Sequence, residues 1–179
     1  PGYAEQRGGN CEPGIVMVAF DRNMNGRPDD DEWYELAGSE YNNSATMKNY
    51  GITYSRPVEH DPVPDASGTL TDTLYIPWKD NRGNSGHIYK NMYHTQSYYP
   101  EWIDADELTF SGTRLPDNGK DVSGWGSYYV LYSYPWGYAD NHPNDSISLN
   151  SFDIGWAVDS QGNKVSLPGA DFIRVYTGV

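Results

Sequence analysis

The residue types and spacing that point most directly to chemistry lie in an acidic segment of twelve residues, 21–32. Oxygen-bearing side chains stand at positions one, three, five, nine and twelve of this segment, and glycine stands at position six. Calcium takes about six to eight oxygen ligands, and this is the ligand spacing of a calcium loop, with the carbonyl of position seven as a further ligand. Glycine at position six allows the sharp turn. The predicted Ca²⁺ ligands are Asp21, Asn23, Asn25, Arg27 through its carbonyl, Asp29 and Glu32.

The flanks of this loop favour strands rather than the helices of an EF-hand. Residues 14–20 are an apolar run rich in valine, and Pro28 stands where the usual loop has an aliphatic residue. We therefore predict a calcium loop that joins two strands. Asp30 and Asp31 are alternatives to Glu32 as the closing ligand, because a strand exit changes the direction of that side chain. The competing interpretation is a solvated acidic turn, since Asn, Gly, Pro and Asp dominate turns in general.

Aromatic residues in loops are the second functional feature. Exposed Tyr and Trp rings stack on the flat faces of sugars and anchor protein interfaces. Trp125, which stands between two glycines, is the ring most expected to be exposed. The alternative is that these rings fill the core of a domain that is 15% aromatic. The candidate ligand-binding rings are Tyr98, Tyr99, Trp102, Trp125, Trp136 and Tyr138.

Patterns for several common catalytic sites are missing from the sequence. It has no Gly-x-Ser-x-Gly motif and no glycine-rich phosphate loop, and its four histidines do not share the spacing of a zinc site. We assign no catalytic residue. With 25 acidic residues, a carboxylate pair for glycoside hydrolysis stays open, so a glycan-active hydrolase with an aromatic-lined cleft is the enzymatic alternative.

The bulk composition limits the partners of this chain. Its 179 residues suit one domain, and its net charge of −13 argues against nucleic acid or an anionic membrane surface as a partner. No stretch approaches the length of a membrane span, so we expect no direct membrane insertion. Cys11 is the single cysteine, and it is either a buried thiol or the partner of a cysteine outside this chain. The start at Pro1 suggests a processed piece whose export signal lay upstream.

The elements that position these residues are short strands separated by Gly-, Pro- and Asp-rich loops. No long segment has helical periodicity. The pattern predicts an all-β fold, a jelly-roll-like β-sandwich with long loops and little helix, spanning residues 1–179 as a single domain. The predicted strands are 14–20, 33–37, 50–56, 74–78, 107–115, 128–134, 152–158, 164–167 and 171–176.

Several segments resemble a known family. Residues 12–16, 33–40, 137–141 and 152–159, together with the acidic loop, are similar to secreted cell-surface proteins of gut Bacteroidetes. This adhesion-type family sometimes carries a PKD module and has no settled activity. The resemblance implies export, display at the cell surface and a lipid anchor on an N-terminal segment that precedes this chain. It also implies that some members belong to outer-membrane nutrient-uptake systems, including those for corrinoids.

These observations predict a non-catalytic cell-surface binding or adhesion domain with a structural Ca²⁺. The expected partner is a glycan, a small nutrient such as a corrinoid, or another surface protein. A glycan-active hydrolase and a structural spacer domain are the two alternatives.

Overall fold

A computed structural model describes residues 9–125 and 128–177, and secondary structure there is almost entirely β. Two single 3-10 turns, Asp30–Glu32 and Ile154–Trp156, are the helical elements of these ranges. The strands are β1 Gly14–Ala19, β2 Trp33–Leu36, β3 Met47–Ser55, β4 Leu70–Asp80, β5 Ser85–Asn91, β6 Glu107–Arg114, β7 Gly119–Asp121, β8 Tyr129–Leu131, β9 Ala157–Val158 and β10 Phe172–Thr177. The described residues form two compact units, which we treat separately: residues 9–47 with 113–177, and residues 48–112.

The main sheet of the first unit is antiparallel, with strand order β10-β1-β2-β9. Its central strand β1 is apolar, and five of its six residues are buried. β1 pairs with β2 from Ala19 opposite Trp33 to Met17 opposite Glu35. The acidic segment is therefore the connection of an antiparallel strand pair, which holds both of its ends at a fixed separation.

Alternate residues of β1 enter two separate hydrophobic clusters, as the period of two in a strand requires. Val16 and Val18 pack with Leu36 and Ala157. The second cluster contains Ile15 of β1, together with Leu115 and Tyr138. Both faces of β1 are thus covered, which agrees with its almost continuous apolar sequence. The same unit carries a small antiparallel pair, β7 with β8.

The second unit is built on a sheet with strand order β5-β4-β3-β6. β4 and β5 form a hairpin, with Trp78 opposite Gly86 near its turn. Gly86 is required there because a Cβ would lie 2.8 Å from the indole of Trp78. The register shifts between Leu70 and Ile76, where β4 carries irregularities.

The predicted all-β class is confirmed, with antiparallel pairing in all three sheets and an arrangement consistent with a β-sandwich. The jelly-roll strand order and the single domain stay predictions. The sequence did not predict β5, because Ser85–Asn91 has no simple apolar alternation and is half-exposed along its length. Its pairing depends on the hairpin turn. In the described ranges, no helix combines the length and apolar character needed to cross a membrane.

Three predicted strands are shorter or weaker than expected, and the one predicted at 152–158 is reduced to Ala157–Val158 after the 3-10 turn Ile154–Trp156. The segment 128–134 forms a strand only at Tyr129–Leu131. Beyond this strand, the side chain of Asn141 forms two hydrogen bonds with the backbone of Tyr134. Asn141 Oδ1 accepts from the N–H of Tyr134 at 2.7 Å, and Asn141 Nδ2 donates to the carbonyl of Tyr134 at 2.8 Å. This side chain takes the place of a neighbouring strand. The segment 164–167 makes only an isolated bridge, between Lys164 and Val158.

Candidate calcium-binding loop

The first half of the acidic loop is folded around the carboxylate at position one. Asp21 Oδ1 accepts a hydrogen bond from the backbone N–H of Asn25 at 3.1 Å, and Oδ2 accepts from the N–H of Gly26 at 2.8 Å. Gly26 has a φ of 75°, in the left-handed region that favours glycine. The tight turn expected at position six is therefore present, and it points the Asp21 carboxylate inward.

The carboxylate at position nine gathers the two amide side chains of the loop. Asp29 Oδ2 lies 2.7 Å from Asn23 Nδ2 and 2.9 Å from Asn25 Nδ2. Asn25 Oδ1 in turn accepts from the N–H of Arg27 at 2.8 Å. The side chains of positions one, three, five and nine are thus linked to one another or to the same short backbone turn.

Glu32, at position twelve, is directed inward and is only 2% exposed. Its Oε1 accepts from the N–H of Arg22 at 2.9 Å, and its Oε2 accepts from the N–H of Asp29 at 3.2 Å. The neighbouring alternatives point outward: Asp30 is exposed, and the side chain of Asp31 is 80% exposed and pairs with Arg22 at 2.7 Å. The geometry therefore favours Glu32 over both as a closing ligand.

The donor set of the loop is made of oxygen atoms of several kinds. It combines three carboxylates, two asparagine amides and one backbone carbonyl. Hard oxygen donors of this kind suit Ca²⁺ better than the softer metals that select Cys and His. Within residues 9–125 and 128–177, no group of three or more His, Cys, Asp or Glu side chains is positioned to hold a metal ion by itself. A site in this loop would therefore depend on the two asparagines and the carbonyl.

Two of the six candidate rings are buried and have no open face on which a ligand could stack. Tyr138 is 1% exposed, and its hydroxyl accepts from the N–H of Glu40 at 2.9 Å. Tyr99 is 4% exposed, and its hydroxyl donates to the carbonyl of Ala105 at 2.8 Å. Because a sugar needs an open ring face, these two residues belong to the packed interior, as the competing interpretation held. Burial also raises the pKa of the Tyr138 hydroxyl.

Two other candidate rings are partly covered by neighbouring aromatic residues. Tyr98 meets Tyr75 edge to face, with ring centroids 5.4 Å apart. Trp136 is tilted against Trp156 at a centroid distance of 4.6 Å and keeps 39% of its surface exposed. Each ring therefore has a packing role in its own unit.

Trp102 and Trp125 are the two candidate rings that present most of their surface to solvent. They are 85% and 80% exposed, respectively. Trp102 belongs to the unit of residues 48–112, and Trp125 belongs to the other unit. The expected exposure of Trp125 is therefore observed, and its role in ligand binding stays a prediction.

Sequence reasoning missed a pocket in the unit of residues 48–112. The pocket is open, has a volume of about 530 Å³, and is bordered by a contact between His60 and Asp72. His60 Nε2 lies 3.0 Å from Asp72 Oδ2, and the Asp72 side chain is 8% exposed. Its lining comes from the loop before β4, from β4 and β5, and from the segment that follows β5, so no local sequence motif marks it.

Comparison with known proteins gives no assignment for this arrangement: no family model matches the chain, and no curated protein matches it.

Proposed function

We propose that this chain is a non-catalytic, surface-exposed binding or adhesion domain in which Ca²⁺ holds the β1–β2 connection. The observation that supports the proposal is the inward folding of the loop. Asp21 and Asp29 turn toward the same short segment, and the position-twelve carboxylate of Glu32 is buried behind them. Both oxygens of Glu32 accept backbone hydrogen bonds from the loop, and these bonds hold the carboxylate on the inner side of the loop, as a closing ligand requires.

Calcium would relieve the crowding of acidic groups in this loop. Residues 21–32 contain five carboxylates and only two guanidinium groups. The asparagine amides now donate their N–H groups to Asp29. If each amide group rotated, its oxygen would take the place of its nitrogen. The oxygen is the atom that a cation requires as a ligand. Asp21, Asn23, Asn25, Arg27 through its carbonyl, Asp29 and Glu32 would then supply at least six oxygens, within the range that Ca²⁺ takes.

The role of this calcium is structural. It would fix the loop between two antiparallel strands of the sheet that contains the hydrophobic core of the unit. A ligand that binds only the folded state stabilises it by about 2.7 kcal/mol when its free concentration is about 100 times its Kd. For a chain of this length, that stabilisation raises Tm by roughly 5–10 °C.

The binding role is supported by the exposed rings and by the acidic composition. Trp102 and Trp125 offer open faces for stacking. The net charge of −13 favours neutral ligands, or ligands whose charge complements a local charge of the protein, over nucleic acid. Glycans, small nutrients such as corrinoids, and other surface proteins are the proposed partners. The resemblance to Bacteroidetes surface proteins supports the proposed export, surface display and lipid anchoring.

Thermal unfolding in calcium and in excess chelator tests the structural part of this proposal. We expect a Tm higher by several degrees in Ca²⁺ than in chelator, with a smaller effect of Mg²⁺, which prefers stricter octahedral geometry. Equal Tm values in all three conditions would overturn it. The same assay with a panel of glycans and cobalamin tests the binding part, and turnover of a glycan in place of simple binding would favour the hydrolase instead.

A further inference from the structure

The pocket in the unit of residues 48–112 contains a lysine whose ammonium group lies over a tyrosine ring and forms no ion pair with the described residues. Lys90 Nζ lies 4.8 Å from the centroid of the Tyr75 ring, a cation–π distance. Tyr75 is itself fixed by the edge-to-face contact with Tyr98. In the described ranges, no carboxylate lies within 4.0 Å of this ammonium group. The ammonium group of Lys90 therefore provides a positive charge in the pocket lining that can bind an anion.

Asp72, which stands opposite Lys90 in the β4–β5 pairing, has hydrogen-bond partners other than this lysine. Asp72 pairs with His60 and also accepts from the N–H of Leu74 at 3.0 Å and of Val63 at 3.3 Å. His60 Nδ1 lies 2.9 Å from the carbonyl of Val58, so both ring nitrogens face acceptors, an arrangement that favours the doubly protonated imidazole. These two contacts, to the carbonyl of Val58 and to Asp72, raise the pKa of His60. When His60 is protonated, its pair with Asp72 carries no net charge, which leaves the positive charge of Lys90 available to a ligand.

The rest of the lining offers two other kinds of contact. The hydroxyl of Thr95 and the amide nitrogen of Asn91 can bind ligand hydroxyls, and Thr71 Oγ1, which donates to the carbonyl of Lys90, can still accept a hydrogen bond. Val58, Pro62 and Met92 supply apolar surface. The volume of about 530 Å³ falls within the usual range of small-molecule sites.

We propose that this pocket binds a sugar acid of the uronic type, with its carboxylate on Lys90. Such a ligand combines one anionic group, several hydroxyls and an apolar ring face, which are the three features that the lining complements. This inference rests on the proposed function as a binding domain and names the chemical class of one ligand. Glu59, an exposed residue that also lines the pocket, is the acid that opposes binding of an anion.

Titration calorimetry of the whole chain with glucuronate and with glucose tests this inference. We expect glucuronate to bind at least about tenfold more tightly than glucose, because a charge-assisted contact is lost in the neutral sugar. Lys90→Met should raise the Kd for glucuronate by about tenfold or more, and Lys90→Arg should restore much of the affinity. Lys120→Met is the matched control, since Lys120 also lies over a tyrosine ring, Tyr132 at 5.4 Å, but does not line the pocket.

A second variant tests the sign of the charge effect. Glu59→Gln should lower the Kd for glucuronate by about two- to threefold, because it removes a repulsive carboxylate from the pocket. A higher Kd in this variant, or an unchanged Kd in Lys90→Met that unfolds at the normal Tm, would overturn the proposal. If neutral glycans or cobalamin bind while glucuronate does not, the sugar-acid site alone is wrong. If none of them binds, the proposed glycan-binding and nutrient-binding function fails as well.

Discussion

The carboxylate of Glu32 accepts a hydrogen bond from the backbone N–H of Arg22 at 2.9 Å, across the two ends of the acidic loop. Position twelve is thereby fixed to position two, next to the first predicted ligand. The same carboxylate accepts from the N–H of Asp29, so both of its oxygens have backbone partners. The loop is closed by hydrogen bonds to its own backbone, which keep the predicted ligands near each other. Binding of a metal ion would therefore cost little additional chain entropy.

The first prediction concerns Asp21→Ala. This substitution removes a predicted ligand, so we expect it to lower Tm clearly in saturating Ca²⁺. In excess chelator the loss should be small, about 1 kcal/mol or less in the free energy of unfolding, because only hydrogen bonds of an exposed turn are removed. Thermal unfolding in both conditions provides the measurement.

Asp31→Ala is the matched control for this prediction. Asp31 lies in the same loop and carries the same charge, but its side chain is 80% exposed and pairs with Arg22. We expect nearly the same small change in Tm with and without calcium. Equal losses for Asp21→Ala in the two conditions, or a calcium-dependent loss for Asp31→Ala, would show that the assigned ligands are wrong.

The acidic loop was predictable from the sequence because its contacts are local. Asp21, Asn25 and Asp29 interact within nine residues, and the strands beside them have strong apolar patterns. The pocket was not predictable, because Lys90 and His60 come together only through the β4–β5 hairpin and the loop before it. In the sequence alone, Lys90 and His60 cannot be distinguished from ordinary charged residues of a protein surface.

Ring burial was also not decided by local sequence. Tyr138 and Trp125 both follow a glycine in a loop, yet one is 1% exposed and the other 80%. The difference comes from Gly38, whose missing side chain makes room for the ring of Tyr138. That contact joins positions 100 residues apart, and no local pattern reports it.

Gly38→Ala is predicted to be strongly destabilising. A Cβ at position 38 would lie 2.5 Å from Cζ of Tyr138, whose ring is buried and cannot move aside. Overpacking of this kind costs roughly 1–3 kcal/mol. Urea unfolding provides the measurement. Gly169→Ala is the control, because a Cβ there meets no atom within 4 Å, and a similar loss in both variants would contradict the packing argument.

Asp80 is predicted to make the protein sensitive to acid. It ends β4 and caps the hairpin turn by accepting from the N–H groups of Arg82 and Asn84 at 2.9 and 2.7 Å. Partial burial favours the protonated form, but the hydrogen bonds from the side chain and backbone of Asn84, from Arg82 and from Tyr50 outweigh it and lower the pKa to about 2.

The sign of the effect on stability follows from this shift. In the unfolded chain an Asp has a pKa of about 3.9, so its stabilising effect is fully present above that value and is lost as pH falls toward about 2. The carboxyl resonance of Asp80 in an NMR titration should report the low pKa. Asp80→Asn should unfold more easily near neutral pH and lose less stability than the parent between about pH 4 and pH 2. An unaltered slope in that interval would be evidence against this role for Asp80.

The exposed tryptophans are predicted to affect binding rather than stability. Trp125→Ala and Trp102→Ala remove rings that are 80% and 85% exposed, so we expect the free energy of unfolding to change by no more than about 0.5 kcal/mol. Binding of neutral oligosaccharides, measured by calorimetry, should weaken in whichever variant loses a ring that stacks on the sugar. Tyr99→Ala is the contrasting variant, because loss of its buried ring should cost roughly 3–5 kcal/mol. A large loss of stability in Trp125→Ala would place that ring in the core, and unchanged binding in both tryptophan variants would remove the rings from the proposed glycan site.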